Sequence, residues 1–220
     1  AWTAADFEAY AEAKWRSNRF NLERGRVRLR LLSLLEQAWA RAGQVEEATL
    51  ALWTSRDHPH FFNDHAVMRQ VAVWARTGPA RERLQALDAN LAASEVERAH
   101  PHAGLAIDRD GLALVWRVPA GARQDQAAWR QALPAIEALA AQEVVTGQPG
   151  VLRVGGTAAD LIRLREVAAT GSAVSVELTW PLTPAQALDG GLGVDDVALW
   201  AARALRAGRD QGKRYPAHPD

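Results

Sequence analysis

The sequence predicts an α+β protein: a mainly antiparallel sheet of about five or six strands, helices packed against it, and a helical pair at the N-terminus. Three patterns carry that expectation. Residues His102 to Asp108 and Leu112 to Val118 flank Arg109-Asp110-Gly111, a strong hairpin turn. Ala173 to Trp180 alternates, with Val174, Val176, Leu178 and Trp180 on one face. Leu31, Leu34, Leu35, Ala38, Trp39 and Ala42 follow helical spacing instead.

In chain order, Thr3 is a helix N-cap with Asp6 as its capping-box partner, opening a helix to about Arg16. A longer helix spans Leu22 to Ala42 and ends at Gly43. Thr49 to Ser55 and Val71 to Arg76 read as strands, separated by a polar, aromatic loop. Pro79 opens a helix to about Ala92, and Ser94 caps a short helical turn. The hairpin follows, and its parity is informative. With a two-residue turn, Ala103, Leu105 and Ile107 share a core-facing side with Leu112, Leu114 and Trp116. The opposite side then carries His102, Gly104, Ala106, Asp108, Val115 and Arg117, which sets His102 away from the core.

Asp125 to Gln142 is helical, divided by Pro134, with Trp129, Leu133, Ile136 and Ala140 as its stripe. Val151 to Val154 is a strand, Thr157 to Asp160 starts a second boxed helix, and Gly171 ends it. Thr183-Pro184 starts a short helix, and Val194 to Ala207 forms the last. Residues 1–220 are expected to form a single domain, with 1–43 as the helical pair and 208–220 as a polar tail.

Composition narrows the chemistry. The chain has no cysteine, which excludes disulfides, thiolate metal sites and a cysteine nucleophile. Formal net charge is zero, so bulk charge favours neither nucleic acid nor an acidic partner. The acidic start lacks the basic and apolar regions of a secretory signal, and apolar runs are short of a bilayer span, so a cytoplasmic location off the membrane is expected. Nine tryptophans, dispersed from Trp2 to Trp200, read as core and interface packing rather than as a stacking platform. Basic residues are nearly all arginine, as in proteins of GC-rich bacterial genomes. No serine sits in a G-x-S-x-G elbow.

Two segments repeat, His58-Pro59-His60 and His100-Pro101-His102. Extended backbone aims both imidazoles of an H-x-H pair to one side, so the four histidines could ligate zinc or another divalent metal, with Asp57, Asp64 or Asp108 in support. Histidine acid–base chemistry is the metal-free counterpart. The bland reading makes them capping or surface residues beside proline. A second candidate is the arginine run Arg19, Arg24, Arg26, Arg28 and Arg30, a surface for phosphates of nucleic acid or nucleotide, or else a solvated helix face. A third, weaker one is Val151 to Thr157, where a glycine turn between strand and helix could seat an anion.

Thr3-Ala4-Ala5-Asp6-Phe7 ahead of a basic helix, and His100-Pro101-His102 leading into a hairpin with an aromatic on its second strand, resemble the YktB-like bacterial family. The matching pieces cover about a quarter of the chain, and that family's basic, proline-rich stretch has no counterpart here. The resemblance implies an α+β fold and no particular activity. Taken together, the missing catalytic signatures and dispersed tryptophans favour a non-enzymatic accessory or scaffold subunit acting through a protein partner or homo-oligomer. A metal-dependent hydrolase or lyase built on the four histidines, and nucleic-acid or nucleotide binding through the arginines, are the alternatives.

Overall fold

The computed structural model describes residues 1–42, 50–88, 91, 95–145 and 147–212, with side chains to residue 205. At the N-terminus the Asp6 carboxylate accepts from the Thr3 N–H at 2.7 Å and from its hydroxyl at 2.9 Å, which caps α1 (Ala4–Glu8). The expected extension to Arg16 does not form. The Trp15 indole N–H takes the Tyr10 carbonyl at 2.7 Å, and Lys14 N–H bonds Ala11 instead at 2.8 Å. Two 3-10 turns, Glu12–Lys14 and Asn18–Phe20, carry the chain into α2 (Asn21–Ala42).

The strands are β1 (Leu50–Thr54) and β2 (Arg69–Arg76), followed by α3 (Gly78–Leu87) and α4 (Val96–Ala99). The hairpin β3 (His102–Asp108) and β4 (Leu112–Val118) comes next, then α5 (Gln126–Gln131) and α6 (Leu133–Ala140), divided ahead of Pro134 as expected. β5 (Val151–Val154), β6 (Thr157–Ala158), α7 (Leu161–Thr170), β7 (Val176–Leu182), α8 (Pro184–Leu188) and α9 (Val194–Gly212) complete the order. Gly43, Thr49, Ala92, Ser94 and the tail from Lys213 lie outside the described residues, and α9 runs past the expected Ala207.

One antiparallel sheet holds seven strands in the order β1-β2-β3-β4-β7-β5-β6. Its inner face presents Trp74, Leu105, Ile107, Leu114, Trp116, Leu178 and Trp180, all buried. Helices α2 and α9 lie side by side against it. The register Ala103↔Trp116 and Leu105↔Leu114 is the one hairpin parity requires. Six of the nine tryptophans are buried and none is fully exposed, in line with a packing role. On the outer face, Val96 of α4 packs on Val71, Val73 and Ala75.

One strand–turn–helix reading is corrected. Gly155 and Gly156 adopt φ of +62° and +86° and close a hairpin in which Val154 pairs with Thr157. The helix begins four residues after Thr157, at Leu161, capped by Asp160, whose side chain accepts from Arg163 N–H at 2.8 Å. The glycine turn therefore joins two strands and does not open onto a helix N-terminus, so the anion-seat reading of Val151 to Thr157 falls.

Candidate functional site

The loop after β1 is built to hold His58. Asn63 grips both sides of Pro59: its amide donates to the His58 carbonyl at 3.0 Å, and its oxygen accepts from His60 N–H at 2.8 Å. His60 caps the 3-10 turn Phe61–Asn63, and Asp64 and His65 then take left-handed φ of 53° and 54° to reverse the chain. Arg16 donates to the Asp64 carbonyl at 3.1 Å, and Val67 N–H to the Trp15 carbonyl at 2.9 Å, which docks the loop on the N-terminal turns.

Within this frame Asp57 Oδ1 lies 3.0 Å from His58 Nδ1, and Asp57 Oδ2 lies 2.9 Å from Arg28 Nε of α2. The Arg28 contact is an ion pair with its N–H off the line to the oxygen. An ionised carboxylate can only accept, so Nδ1 carries the hydrogen and the neutral ring keeps its lone pair on Nε2. Asp57 is mostly covered, with its side chain 18% exposed, while the His58 side chain is 41% exposed. A shielded carboxylate thus orients a solvent-reachable imidazole, which is the arrangement general acid–base chemistry uses.

Two cavities meet at this pair. One, of about 460 Å³, crosses the β1 edge of the sheet and is lined by Arg28, Trp53, Asp57 and His58 together with Arg81 of α3 and Arg98 of α4. Its volume falls within the usual range for small-molecule sites, roughly 300–1,000 Å³. The other, of about 380 Å³, runs along α2 past Leu22, Gly25 and Leu29, and shares Arg28, Asp57 and His58 with the first. In the larger cavity Glu97 pairs with Arg69, whereas Arg56 and Arg98 form no ion pair with a described residue. Ser55 also lines it. Its hydroxyl oxygen accepts from Val71 N–H at 2.9 Å and from Gln70 Nε2 at 3.0 Å, so it serves the sheet edge.

The four predicted histidines part company. His58 and His60 have ring centroids 6.1 Å apart, edge to face, and His60 accepts from Phe62 N–H at 3.4 Å. Burial and the neighbouring Arg56 push the His60 imidazole below its ordinary value. His100 and His102 are buried on the outer face, and His102 Nδ1 donates to the His100 carbonyl at 2.8 Å. Parity sets His102 on the outer face, away from the inner core, as expected, yet the ring is buried there, and burial pushes it down to about 4. Among the described residues no three histidine or carboxylate side chains stand together as a metal group, so His58, His60, His100 and His102 are not brought into one.

The arginine run does not form one face. Arg24 is fully buried and donates to the carbonyls of Lys14 and Ser17 and to Asn21 Oδ1, closing the 3-10 turns. Arg30 pairs with Asp6 beside Trp2, and Arg28 with Asp57, while Arg19 and Arg26 point to solvent. Sequence reasoning named Asp57 and His58 in a metal role and Arg28 in a phosphate role. It missed Trp53, Arg81 and Arg98, which no local pattern marks. The Asp-His adjacency was the one signal for the pair itself.

No family model, no curated protein and no solved structure matches the chain. Among the described residues no helix is long and apolar enough to cross a membrane. The α+β fold stands on the sheet and its helices alone.

Proposed function

We propose that the arginine-lined cleft binds a small molecule bearing a phosphate or carboxylate, and that His58 exchanges a proton with it. The carrying observation is the convergence of four elements on one cavity: Arg28 of α2, Asp57-His58 after β1, Arg81 of α3 and Arg98 of α4. Arg28 steadies Asp57, Asp57 fixes the ring of His58, and Arg56 and Arg98 supply positive charge with no paired carboxylate among the described residues. Pyrophosphate is a suitable probe. Its addition to imidazole-labelled protein is expected to shift the His58 ring resonances saturably, and Arg98→Ser should weaken binding at least threefold. Resonances unmoved at millimolar pyrophosphate would refute the proposal.

A second reading, an accessory subunit acting through protein contacts, draws on one observation. Among the described residues, half of the exposed large apolar side chains, Leu22, Leu29, Phe61, Phe62 and Met68, sit in the two segments that frame this corner. Light scattering tests it against the first: a strict monomer that binds pyrophosphate supports the cleft reading alone.

A further inference from the structure

The two cavities differ in character on either side of His58. The larger is faced by Arg28, Arg56, Arg81 and Arg98, with Asp57, Glu95 and Glu97 also in its lining. The smaller follows a stripe of α2 in which Leu22, Gly25 and Leu29 fall at helical spacing, with Asn21 and the exposed Arg26 at its margin. Leu22 is 80% exposed and Leu29 61%, unusual values for two leucines framing one groove. Gly25 keeps the floor between them low, its nearest neighbour for an added Cβ being Asp57 Oδ2 at 3.7 Å. From Leu22 to Leu29 the helix rises about 10 Å, the reach of a medium-length alkyl or acyl chain. The far wall of the groove is Asp57 and His58, which also wall the arginine cleft.

We infer that the ligand is bipartite: an anionic phosphate or carboxylate head in the arginine cleft, joined to an apolar tail along Leu22, Gly25 and Leu29, with its junction over His58. This rests on the anion-binding reading of the cleft and adds the tail. A chain that fills both cavities must cross the residues they share, which brings the bond between head and tail to an imidazole oriented by a carboxylate. The apolar stripe then has a defined occupant, continuous with the charged site.

The test is calorimetric titration of the full chain with inorganic phosphate, butyl phosphate, hexyl phosphate and hexanoate, all kept monomeric in solution. Affinity is expected to rise roughly two- to fourfold per methylene from butyl to hexyl phosphate, as buried methylenes contribute about 0.8 kcal/mol each at most. Leu29→Ser changes an exposed side chain and should remove most of that gain without altering affinity for inorganic phosphate. Arg98→Ser should weaken every phosphate ligand alike. Comparison of hexyl phosphate with hexanoate identifies the head, and a tail-dependent gain on either supports the inference. If inorganic phosphate binds and hexyl phosphate binds no tighter, the tail is refuted and the anion site stands. If none of the four binds, both fall. Adsorption to phosphatidylglycerol vesicles without binding of hexyl phosphate would assign the leucines to a membrane surface and overturn the inference.

Discussion

His102 makes the fold acid-sensitive by an amount the structure sets. Its ring is buried on the outer face of the sheet, across the ladder from Arg117, with Arg69 and Glu97 nearby. Burial outweighs the hydrogen bond to the His100 carbonyl and pushes the imidazole down to about 4 from its ordinary 6.5. The folded chain therefore refuses a proton that the unfolded chain accepts. Stability is complete above about pH 6.5, falls as pH drops through that value, and levels off below about 4. At pH 4.5 the difference amounts to between about 2 and 3 kcal/mol, since each pKa unit is worth about 1.4 kcal/mol. His102→Asn retains a donor for the His100 carbonyl and cannot titrate. Urea unfolding followed by tryptophan fluorescence, run from pH 7.5 to 4.5 on both proteins, isolates the effect from the carboxylates they share. The gap between wild type and variant should move by about 2–3 kcal/mol in the variant's favour on acidification. A gap that stays constant across that range would show that His102 protonates as readily folded as unfolded, and the argument from burial would be refuted.

Two further outcomes test the frame around the site. Arg24→Met strips donors from the Lys14 and Ser17 carbonyls inside the N-terminal turns; it should cost about 2–4 kcal/mol in urea unfolding, with pyrophosphate affinity of the folded protein unchanged. At Gly104 an added Cβ would strike the Ala72 carbonyl oxygen and come within 2.6 Å of Val73 Cα, so Gly104→Ala should lose more than about 3 kcal/mol, whereas Gly78→Ala, with nothing within 4 Å, should stay within about 1 kcal/mol of wild type.

The fold was legible where local chemistry and burial agree. The Arg109-Asp110 turn, held by Asp108 Oδ1 accepting from Asp110 and Gly111 N–H at 2.8 and 3.1 Å, fixes a parity that the whole β3–β4 face then obeys. It was misread where two local signals compete. Thr3 and Thr157 each stand three residues before an aspartate, and only the first builds the capping box. At Thr157 the paired glycines close a hairpin first, Thr157 pairs with Val154, and Asp160 becomes the cap itself. The early end of α1 has the same origin, because the Trp15 side chain, five residues along, captures the Tyr10 carbonyl that helix propagation needed. Competition of this kind is settled by tertiary contacts, which no window of a few residues contains.

The twin His-Pro-His segments show why the site was harder to read than the fold. Proline restricts the backbone of the residue before it, and His100 is accordingly extended at φ −132° and ψ 140°. It says nothing of what packs around the rings. After His102 the chain continues as a strand paired on both sides, by β2 and β4, both imidazoles are buried, and burial holds His102 neutral. After His60 the chain turns at once into a 3-10 turn at the sheet edge, and His58 stays reachable beside its carboxylate. One tripeptide therefore yields a structural histidine pair in the first environment and a proton-exchanging candidate in the second. The partners that make the difference, Arg28 in α2 and Arg98 in α4, lie far away in sequence on separate helices. The chemistry proposed for His58 depends on the β1 edge, where α2, the loop, α3 and α4 line one cavity, and a motif search confined to the loop sees only one of them.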